Sequence, residues 1–469
     1  MTGTRDLVIL GLLGFLAAGC APLPAAYQPV SRTEGMLRLY LQPLPQEAHR
    51  LNFSISEMLA VRSDGDAIPL QQVFSELHGK DLIGLQKRMV SAPLPPGLYR
   101  GISLRVSAAS LLGEAGLADL LTPDEPLFIA REFDVVRERS STLFLSLDAE
   151  RLVGGGFSFT PAFSLAKPRR QLKSLLGFAT SSGGNVVSVF NKHTMEVVDT
   201  IATGSGPMGA ALDQRREWVY VALAGDDIIV AIDVNTGEVL QRVRLNIGDE
   251  PVEIALSPDG RILVSANRGS NTASIIDTDS LREIERIRLP SEPTSVAMST
   301  LEPRAFLFQP LSKTISVVDP YRRQVSTTVT LEEAPLRGAV SDDGASLYVI
   351  TKNSPNLLVI DPTNLGITGR IFVGTGAASI KVDPKTGLVY IGKKTGGVAV
   401  VDPSLLMPID SFRIDGNAVW LDIDDDDNDV FVVSSDRESI HKVGLISQNP
   451  SGMIEVEDGC YAVVLMGER

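Results

Sequence analysis

The acidic run Asp422–Asp429 brings together many potential metal ligands in a sequence of 469 residues. Carboxylate and amide oxygens at alternate positions suit calcium, but an EF-hand loop also needs a glycine at its sixth position and a glutamate at its twelfth. Counted from Asp422 or from Asp424, both are missing. The run therefore favours an enlarged acidic hairpin turn, with calcium binding as the alternative.

A second pattern, Gly204-Ser205-Gly206-Pro207-Met208-Gly209, has the spacing of a dinucleotide-binding loop. Such a loop must be followed by a helix, because the helix N-terminus holds the pyrophosphate. The following residues, AALDQRREWVYVAL, instead predict two strands joined by a turn. We therefore predict an ordinary connecting loop here and no bound cofactor.

The four histidines do not indicate a catalytic or metal centre. His49, His78, His193 and His441 are too far apart in the sequence to form a ligand pair, and no Gly-x-Ser-x-Gly elbow is present. We expect them to face solvent or to pack. The sequence therefore predicts no catalytic residue and no metal site.

The N-terminus has the features of an export signal. Arg5 precedes an apolar run, Leu7–Leu16, that is too short to span a bilayer. Ala17-Ala18-Gly19 then lead into Cys20, a sequence that resembles the lipobox of bacterial lipoproteins. The resemblance implies a signal peptide at 1–19 and acyl chains such as palmitate on Cys20. A secreted protein cleaved near Ala18 is the alternative.

The residues after the cysteine indicate location and partners. Ala21 resembles the outer-membrane sorting pattern of Gram-negative lipoproteins, which implies a lipid-anchored envelope protein facing the periplasm or the surface. Residues 20–34 are rich in proline and alanine and predict a tether. The net charge of -14 excludes nucleic acid as a partner, because phosphate binding needs a cationic surface. The second cysteine, Cys460, opens an apolar run and is expected to be buried.

Residues 35–166 alternate between apolar and polar positions with period two, as in Leu37, Leu39 and Leu41. Turn signals separate these runs, which predicts a β-sandwich, with Ser110–Leu121 as one weak helix. The segments GMLRLYLQPLP, LPPGLYRGISLRVSAA and FLSLDAERLVGGGFSFTPAF resemble a domain of unknown function found on bacterial surface lipoproteins. Residues 167–173 are basic and predict a linker.

Residues 174–469 contain a repeat. Strand ends of the form V-x-V-x-D recur at intervals of 41 to 44 residues, at Asn191, Asp233, Asp277, Asp319, Asp361, Asp402 and Gly444. This period, with about four short strands per unit, is typical of β-propeller blades. The copy PVEIALSPDGRILVSANRGSNTASIIDTDSLREIERIRL closely resembles the YVTN-type bacterial propeller repeat. We expect seven blades, with the terminal strand Cys460–Leu465 pairing with Leu175–Thr180 to close the ring.

The first strand of each blade lines the central channel of a propeller. Inward positions contribute two cations and two anions, Glu253, Arg337, Lys381 and Asp422, which we expect to neutralise one another. A small-ligand site is the alternative. The resemblance to propellers also raises the possibility of a lactonase, which gathers carboxylates and asparagine at the channel mouth, and that cluster is not visible in this sequence.

The loops on one face of the predicted propeller carry mixed charge. Cations occur between the second and third strands, and acidic residues occur between blades, which is a usual place for a protein partner to dock. The predicted binding residues, on this face and in the channel, are Glu253, Arg268, Arg337, Lys352, Lys381, Lys393, Asp422 and Arg437.

The sequence thus predicts an all-β chain, a sandwich followed by a seven-bladed propeller, that acts as a monomeric binding or scaffolding module. Its expected partners are the membrane, through the lipid, and a protein or an envelope polymer. One alternative is a hydrolase or lactonase acting at the channel mouth. Another is a redox-associated propeller with a haem-like cofactor, although the sequence has no Cys-x-x-Cys-His motif.

Overall fold

The computed structural model of the chain describes residues 31–113, 116–148, 152–154 and 157–467. The predicted signal peptide, Cys20 and most of the predicted tether lie outside the described residues. Apart from three short 3-10 helices, the regular structure of the described residues is entirely β-strand; the helices are Gln46–Arg50, Gly79–Asp81 and Lys173–Leu175. In this part of the chain, no helix has the length and apolar character needed to cross a membrane.

The N-terminal domain consists of two main sheets and a small hairpin. The first sheet has the strand order β12-β9-β1-β5, formed by β1 (Gly35–Leu41), β5 (Lys87–Leu94), β9 (Ser140–Asp148) and β12 (Ala162–Ala166). The second has six strands, β2 (Leu51–Arg62), β3 (Ala67–Pro69), β4 (Glu76–His78), β6 (Gly97–Gly113), β7 (Gly116–Asp119) and β8 (Leu127–Val135). The hairpin joins β10 (Val153–Gly154) and β11 (Ser158–Phe159).

The period-two pattern explains how these sheets share a core. Successive side chains of a strand point to opposite faces, so alternate residues enter the same interior. Leu37 and Leu39 of the first sheet therefore join Phe53 and Ile55 of the second in one buried apolar cluster.

The expected weak helix at Ser110–Leu121 is wrong. Strand β6 continues to Gly113, and β7 returns antiparallel to it, with Leu112 opposite Leu117. The glycines disfavour a helix, and Gly116 has a φ of 114°, which an L-residue rarely adopts.

The C-terminal part of the chain contains seven four-stranded antiparallel sheets. Blade 1 begins with β13 (Leu176–Ser181), β14 (Val186–Asn191) and β15 (Glu196–Ala202). Blade 2 is β16 (Pro207–Asp213), β17 (Trp218–Leu223), β18 (Ile228–Asp233) and β19 (Val239–Arg244). Blade 3 is β20 (Pro251–Leu256), β21 (Ile262–Asn267), β22 (Thr272–Asp277) and β23 (Arg282–Arg288). Blade 4 is β24 (Ser295–Met298), β25 (Ala305–Gln309), β26 (Thr314–Asp319) and β27 (Gln324–Thr330).

The last three blades repeat this plan. Blade 5 is β28 (Ala334–Val340), β29 (Leu347–Lys352), β30 (Asn356–Ile360) and β31 (Ile367–Phe372). Blade 6 is β32 (Ala377–Val382), β33 (Val389–Lys393), β34 (Gly397–Asp402) and β35 (Met407–Arg413). Blade 7 is β36 (Trp420–Asp424), β37 (Asp429–Ser434), β38 (Ser439–Gly444) and β39 (Pro450–Glu455). The final strand, β40 (Cys460–Leu465), returns to blade 1 as its innermost strand.

The predicted ring closure is confirmed. Strand β40 pairs antiparallel with β13, with Gly177 opposite Leu465 and Phe178 opposite Val464. The innermost strands contact one another in sequence around the ring, from β16 through β36 to β40 and back to β16. The seven sheets therefore form a closed ring around a central channel, with the first strand of every blade lining it.

The recurring aspartate of the repeat has a structural role. In blade 2, one carboxylate oxygen of Asp233 accepts hydrogen bonds from the backbone N–H groups of Asn235 and Thr236, which fixes the turn into the fourth strand. The residue four positions after each strand end has a positive φ, at Met195, Gly237, Leu281, Arg323, Leu365, Leu406 and Gln448. The sequence repeat is thus a repeat of one turn geometry.

Each blade has two kinds of connection, which define two faces of the ring. The loops between second and third strands hydrogen-bond to the loops between blades, as the Arg268 N–H does to the Glu250 carbonyl. We call this side the loop face. The turns between first and second strands and between third and fourth strands lie at the opposite ends of the strands, on the turn face.

The N-terminal domain packs against blades 1 and 7. Tyr40 and Phe144 join propeller side chains such as Val197 and Val456 in one apolar cluster. Beside it, the buried Glu457 accepts a 2.9 Å hydrogen bond from Arg38 and lies 2.5 Å from Arg88. One propeller carboxylate therefore forms ion pairs with two arginines of the N-terminal domain.

Candidate functional site

The centre of the channel is occupied by Arg337. Its guanidinium lies 3.2 Å from the Glu253 carboxylate and donates a 3.0 Å hydrogen bond to the Tyr461 hydroxyl. It also donates to the Val419 carbonyl and stacks on the Trp420 ring, 4.6 Å from its centroid. These partners come from blades 3, 1 and 7, whereas Arg337 itself belongs to blade 5. A side chain that reaches so many blades must lie near the channel axis.

Burial and charge act in opposite directions on this pair. Burial raises the pKa of Glu253, although the nearby Arg337 opposes that rise. Burial also disfavours the charge on Arg337, but the carboxylate of Glu253 and the hydroxyl of Tyr461 raise its pKa. The guanidinium therefore stays charged and holds the carboxylate in place.

A second ion pair lies on the neighbouring blades. The Lys381 ammonium of blade 6 is 2.6 Å from the Asp422 carboxylate of blade 7, and Asp422 raises the pKa of Lys381. The four charged residues expected to neutralise one another thus form two opposite-charge pairs. Trp420, two positions before Asp422 on the same strand, stacks on Arg337.

Tyr461 is a channel residue that the alternation of inward positions does not predict. The pairing of β40 with β13 shifts register between Ala179 and Ser181, and Tyr461 lies within the irregular stretch of β40. The first strands of blades 3, 5 and 6 have the same irregularity near their start. A residue within such a stretch can enter the channel although strict alternation assigns it to the other face.

The channel contains a cavity of about 400 Å³ that is lined in part by Arg337. Its wall includes the apolar side chains of Val296, Val340 and Val382, and its lining extends to Asp342 and Asp425. Since Asp342 and Asp425 belong to turns between first and second strands, the cavity opens toward the turn face.

Several charges of the loop face are paired. Arg268 forms a 2.9 Å ion pair with Glu250, and Arg437 forms a 3.3 Å pair with Asp415. Lys313 donates to the Glu332 carbonyl. Each of these cations thus binds the interblade loop next to it and stabilises that connection.

Three lysines of blades 5 and 6 differ from the paired cations of the loop face. Lys352, Lys393 and Lys394 form no ion pair with any residue in the described ranges, and Lys352 and Lys394 are exposed. The interblade loop beside Lys393 and Lys394, at 373–376, has the sequence VGTG, without a carboxylate. Lys352 lies opposite Ala334, which follows Glu332 and Glu333 in the preceding interblade loop. A Cβ at Gly374 would lie 3.3 Å from the Lys393 ammonium nitrogen, which places that cation beside the loop. We call these three lysines the cationic sector.

Arg437, also predicted to bind a partner, lies in a different environment. It lines a cavity of about 380 Å³ together with Phe74, His78 and Lys87 of the N-terminal domain. Arg88 also reaches Glu438 on the same loop of blade 7. The N-terminal domain therefore borders the loop face at blade 7, and Arg437 is separated from the open part of that face.

The acidic run forms the predicted hairpin turn. Asp424 ends β36 and Asp429 begins β37, with a turn between them. Asp424 lies 2.7 Å from the buried Lys192, and Asp429 lies 2.9 Å from Lys442. Among the described residues, no group of three histidine, cysteine or acidic side chains has the arrangement of a metal site.

The other residues that the sequence analysis discussed are the glycine-rich pattern, Cys460 and the histidines, and the fold accounts for their positions. The glycine-rich pattern connects β15 to β16, a strand, and no helix follows it. Cys460 is buried as predicted, and burial raises the pKa of its thiol to about 12. Burial lowers the pKa of His441, which lies on β38, whereas His193 is exposed and faces Asp427 at 2.7 Å.

Comparison with known proteins supports the fold. The chain is 32% identical over 120 residues to the seven-bladed β-propeller protein Rv1057 of Mycobacterium tuberculosis. The matched region covers 24% of this chain and 29% of that protein, so it spans less than a third of the relative. The C-terminal part of the chain is a β-propeller. No protein-family model matches this β-propeller chain.

Solved propeller-like structures resemble the chain in fold alone. Kuenenia stuttgartiensis hydrazine synthase matches with a TM-score of 0.50 at 18% identity, over 60% of this chain and 93% of that one. A protein of unknown function from Desulfotomaculum acetoxidans matches with a TM-score of 0.57 at 13% identity, over 63% of this chain and all of that one. At these identities the activity of a neighbour does not transfer to the propeller described here.

Proposed function

We propose that the chain is a lipid-anchored extracytoplasmic protein of the bacterial envelope that binds an anionic protein or envelope polymer through the loop face of its propeller. In this proposal the propeller is of the YVTN type, and it acts as a binding or scaffolding module without catalysing a reaction. The observation that carries the proposal is the cationic sector of Lys352, Lys393 and Lys394.

The charge of the whole molecule makes this sector selective. The chain has a net charge of -14, so most of its surface repels an anionic partner. Lys393 and Lys394 instead present cations beside a loop that lacks carboxylates. Complementary charge at such a place favours correct encounters and disfavours other orientations. An anionic partner would therefore dock on blades 5 and 6.

The channel supports a binding role over the lactonase alternative. A hydrolytic site needs a carboxylate that is free to bind a metal or to take a proton. Glu253 is instead engaged by Arg337, and Asp422 is engaged by Lys381. These pairs hold first strands of different blades together, which is a structural use of the charges.

The proposed anchor attaches away from the cationic sector. Glu34, at the end of the proposed tether, accepts a hydrogen bond from the Glu138 N–H group. The adjacent Arg139 pairs with Glu238, in a turn between the third and fourth strands of blade 2. The tether therefore ends beside blades 1 and 2, whereas the cationic sector belongs to blades 5 and 6.

A photo-cross-linking amino acid placed at Lys393 in intact cells tests the binding proposal. We expect a covalent adduct at Lys393, at a level that falls as the ionic strength is raised, because the contact is electrostatic. The same amino acid at the exposed Arg282, on the outer strand of blade 3, is the matched control. Equal adducts at the two positions, or no adduct at Lys393, would contradict the proposal.

The anchor and the two alternatives have their own tests. Cys20→Ser is expected to release the protein from the membrane fraction, and retention of the variant there would contradict lipidation. Lactone hydrolysis that depends on metal and is lost in Glu253→Gln would replace binding with catalysis as the function. Stoichiometric haem in the purified protein would favour the redox alternative.

A further inference from the structure

The segment that joins the two domains, residues 167–173, is strongly basic. It lies within a longer stretch, residues 151–195, that contains no aspartate or glutamate, although the whole sequence has 57 of these residues. Four cations occur in the joining segment, at Lys167, Arg169, Arg170 and Lys173. We call residues 167–173 the basic linker. It is a local exception in a chain whose net charge is -14.

Most cations of the basic linker are available to an anion. Three of them are exposed and form no ion pair with any residue that the structure describes, namely Lys167, Arg169 and Arg170. Lys173 differs, because its ammonium lies 2.7 Å from the Glu217 carboxylate and so attaches the end of the linker to blade 2. The linker is thus held in place at one end while its other charges face solvent.

Two cavities border the basic linker. One has a volume of about 420 Å³, and its lining includes Arg169, Arg170 and the blade 2 turn residues Thr236 and Gly237. The other has a volume of about 330 Å³, and its lining includes Lys167 and Arg169. Each cavity is larger than a phosphate group, so an anion can approach the cations of the linker closely.

Two acidic residues also line these cavities. Glu196 and Asp199 are less exposed than the unpaired cations, and Asp199 accepts a hydrogen bond from the Thr200 N–H group. Burial raises the pKa of both carboxyl groups, which shows that they are partly withdrawn from solvent. An anion that approaches the basic linker therefore meets exposed cations before it meets a carboxylate.

The basic linker lies close to the end of the proposed tether. Glu34 accepts a hydrogen bond from the Glu138 N–H group, and the neighbouring Arg139 pairs with Glu238 beside a turn of blade 2. Thr236 belongs to the same turn and lines the larger cavity next to the linker. The tether and the linker therefore meet at one turn of the propeller.

The length of the tether limits how far this region can lie from a membrane. Cys20 and Ser31 are eleven positions apart, and an extended chain advances at most about 3.6 Å per residue. A lipid on Cys20 would therefore hold Ser31 within roughly 40 Å of the bilayer. Anionic lipids attract lysine and arginine side chains that are held near their surface.

We infer that the basic linker binds the phosphate groups of anionic phospholipids in the membrane that carries the anchor. Lys167, Arg169 and Arg170 contact the headgroups, and Leu172, which is 71% exposed, enters the apolar layer beneath them. The inference rests on the lipid anchor of the proposed function. It adds the class of lipid that the protein recognises and the part of the protein that lies on the membrane.

The lipidated full-length protein in nanodiscs tests this inference. A fluorophore is attached through Leu172→Cys, because the buried Cys460 stays unlabelled, and phospholipid brominated near the headgroup serves as the quencher. In discs with about one-third phosphatidylglycerol we expect quenching at least about fivefold stronger than in pure phosphatidylcholine, because each cation near an anionic surface favours contact. Raised salt should weaken the quenching. The same fluorophore at Arg282→Cys, an exposed position on blade 3, should stay unquenched in both.

Two triple variants make the result specific. The linker variant combines Lys167→Gln, Arg169→Gln and Arg170→Gln, and its quenching in anionic discs should fall to the level seen in phosphatidylcholine. The control variant combines Arg244→Gln, Arg282→Gln and Arg288→Gln, which change the net charge equally at exposed positions of blades 2 and 3 and should retain the quenching. An unchanged Tm would show that both variants fold.

Three outcomes would overturn the inference. They are equal quenching in the two lipid compositions, unchanged quenching in the linker variant, and no quenching at position 172 in protein that is retained in the discs. Wild-type protein that is not retained would contradict the lipid anchor, and this inference with it. The linker variant should still form the adduct at Lys393, so a failure of lipid contact can be distinguished from a failure of partner binding.

Discussion

Arg337 and Glu253 lie 84 positions apart in the chain and form a 3.2 Å ion pair in the propeller channel. The pair joins blade 5 to blade 3, and Tyr461 and Trp420 extend it to blades 1 and 7. Because these side chains cross the centre of the channel and join four blades, their role is structural. We therefore expect partners to bind at the loop face or the turn face of the propeller.

Removing Arg337 should destabilise the propeller. Arg337→Ala leaves Glu253 buried without its counter-charge, and breaking a buried pair on one side typically costs about 3 kcal/mol or more. Denaturant unfolding at pH 7 measures the change. The double variant Arg337→Met with Glu253→Gln removes both charges and should recover most of the lost stability. A double variant as unstable as Arg337→Ala would contradict a pairing role.

The Glu253 carboxyl should also affect the pH dependence of stability. Its folded-state pKa is raised above the ordinary value of 4.5, so folding favours its protonated form. Its contribution is present below that value and is lost as pH rises through the folded pKa. Glu253→Gln should therefore show a smaller loss of stability than the wild type between pH 4.5 and pH 7, measured by denaturant titration. Parallel curves would contradict the assignment.

The turn aspartates should act in the opposite sense. Hydrogen bonds from the Ser280 hydroxyl and backbone N–H lower the pKa of Asp277 below its ordinary value of 3.8. Its contribution is present above that value and is lost as pH falls through the folded pKa. Asp277→Ala should cost about 1 kcal/mol at pH 7 and less at pH 3, because the lost hydrogen bonds are of that size.

Asp277→Asn is the control for this prediction. Its amide oxygen can still accept the turn hydrogen bonds, but it does not titrate in this range. The variant should lie between Asp277→Ala and the wild type at pH 7. An equal cost of Asp277→Ala at pH 7 and pH 3 would contradict the predicted linkage.

The N-terminal domain and the propeller should unfold together because of Glu457. This carboxylate serves both Arg38 and Arg88, and its side chain is 6% exposed. Glu457→Ala removes the carboxylate that Arg38 and Arg88 share, so Arg38 keeps only neutral partners and Arg88 keeps only Glu438 as an anion, and the change should cost about 3 kcal/mol. Calorimetry should then resolve two transitions where the wild type has one. Glu238→Ala, which removes the exposed pair with Arg139, should leave a single transition.

The ring closure depends on a second buried contact. Lys192 lies 2.7 Å from the Asp424 carboxylate and donates a 2.7 Å hydrogen bond to the Met466 carbonyl, just after β40. Lys192→Met should expose β13 to exchange and increase the rate of aggregation on heating, because an open ring presents unpaired edges. Unchanged hydrogen exchange at Leu176–Ser181 in the variant would contradict this role.

The repeat and its closure could be predicted from sequence because they depend on local chemistry. Each strand-end aspartate caps a turn a few residues away, so the spacing of Asp233, Asp277 and Asp319 directly counts blades. The terminal strand was recognisable because blade 1 lacked its first strand. The same local reasoning failed at Ser110–Leu121, where two glycines formed a hairpin.

The candidate site was only partly predictable. Inward alternation found Glu253, Arg337, Lys381 and Asp422, but it could not say which would pair, because ring geometry decides which blades face each other. It missed Tyr461, which lies within the irregular stretch of β40. It also could not place Arg437 beside the N-terminal domain, since the cavity that it shares with Phe74 and His78 joins residues hundreds of positions apart. Counting charges in the sequence therefore assigns Arg437 to the open part of the loop face, whereas the structure places it beside the N-terminal domain.

The affinity of the captured partner for a sector variant is the most direct test of the central claim. Lys352→Glu, Lys393→Glu and Lys394→Glu reverse three charges on the loop face. Lys80→Glu, Arg100→Glu and Arg131→Glu change the net charge equally on exposed positions of the N-terminal domain. With the partner cross-linked at Lys393 as ligand, we predict that the sector variant raises Kd by about 30-fold or more while the control stays within about threefold of wild type. Equal affinities for the two variants would contradict binding through the cationic sector.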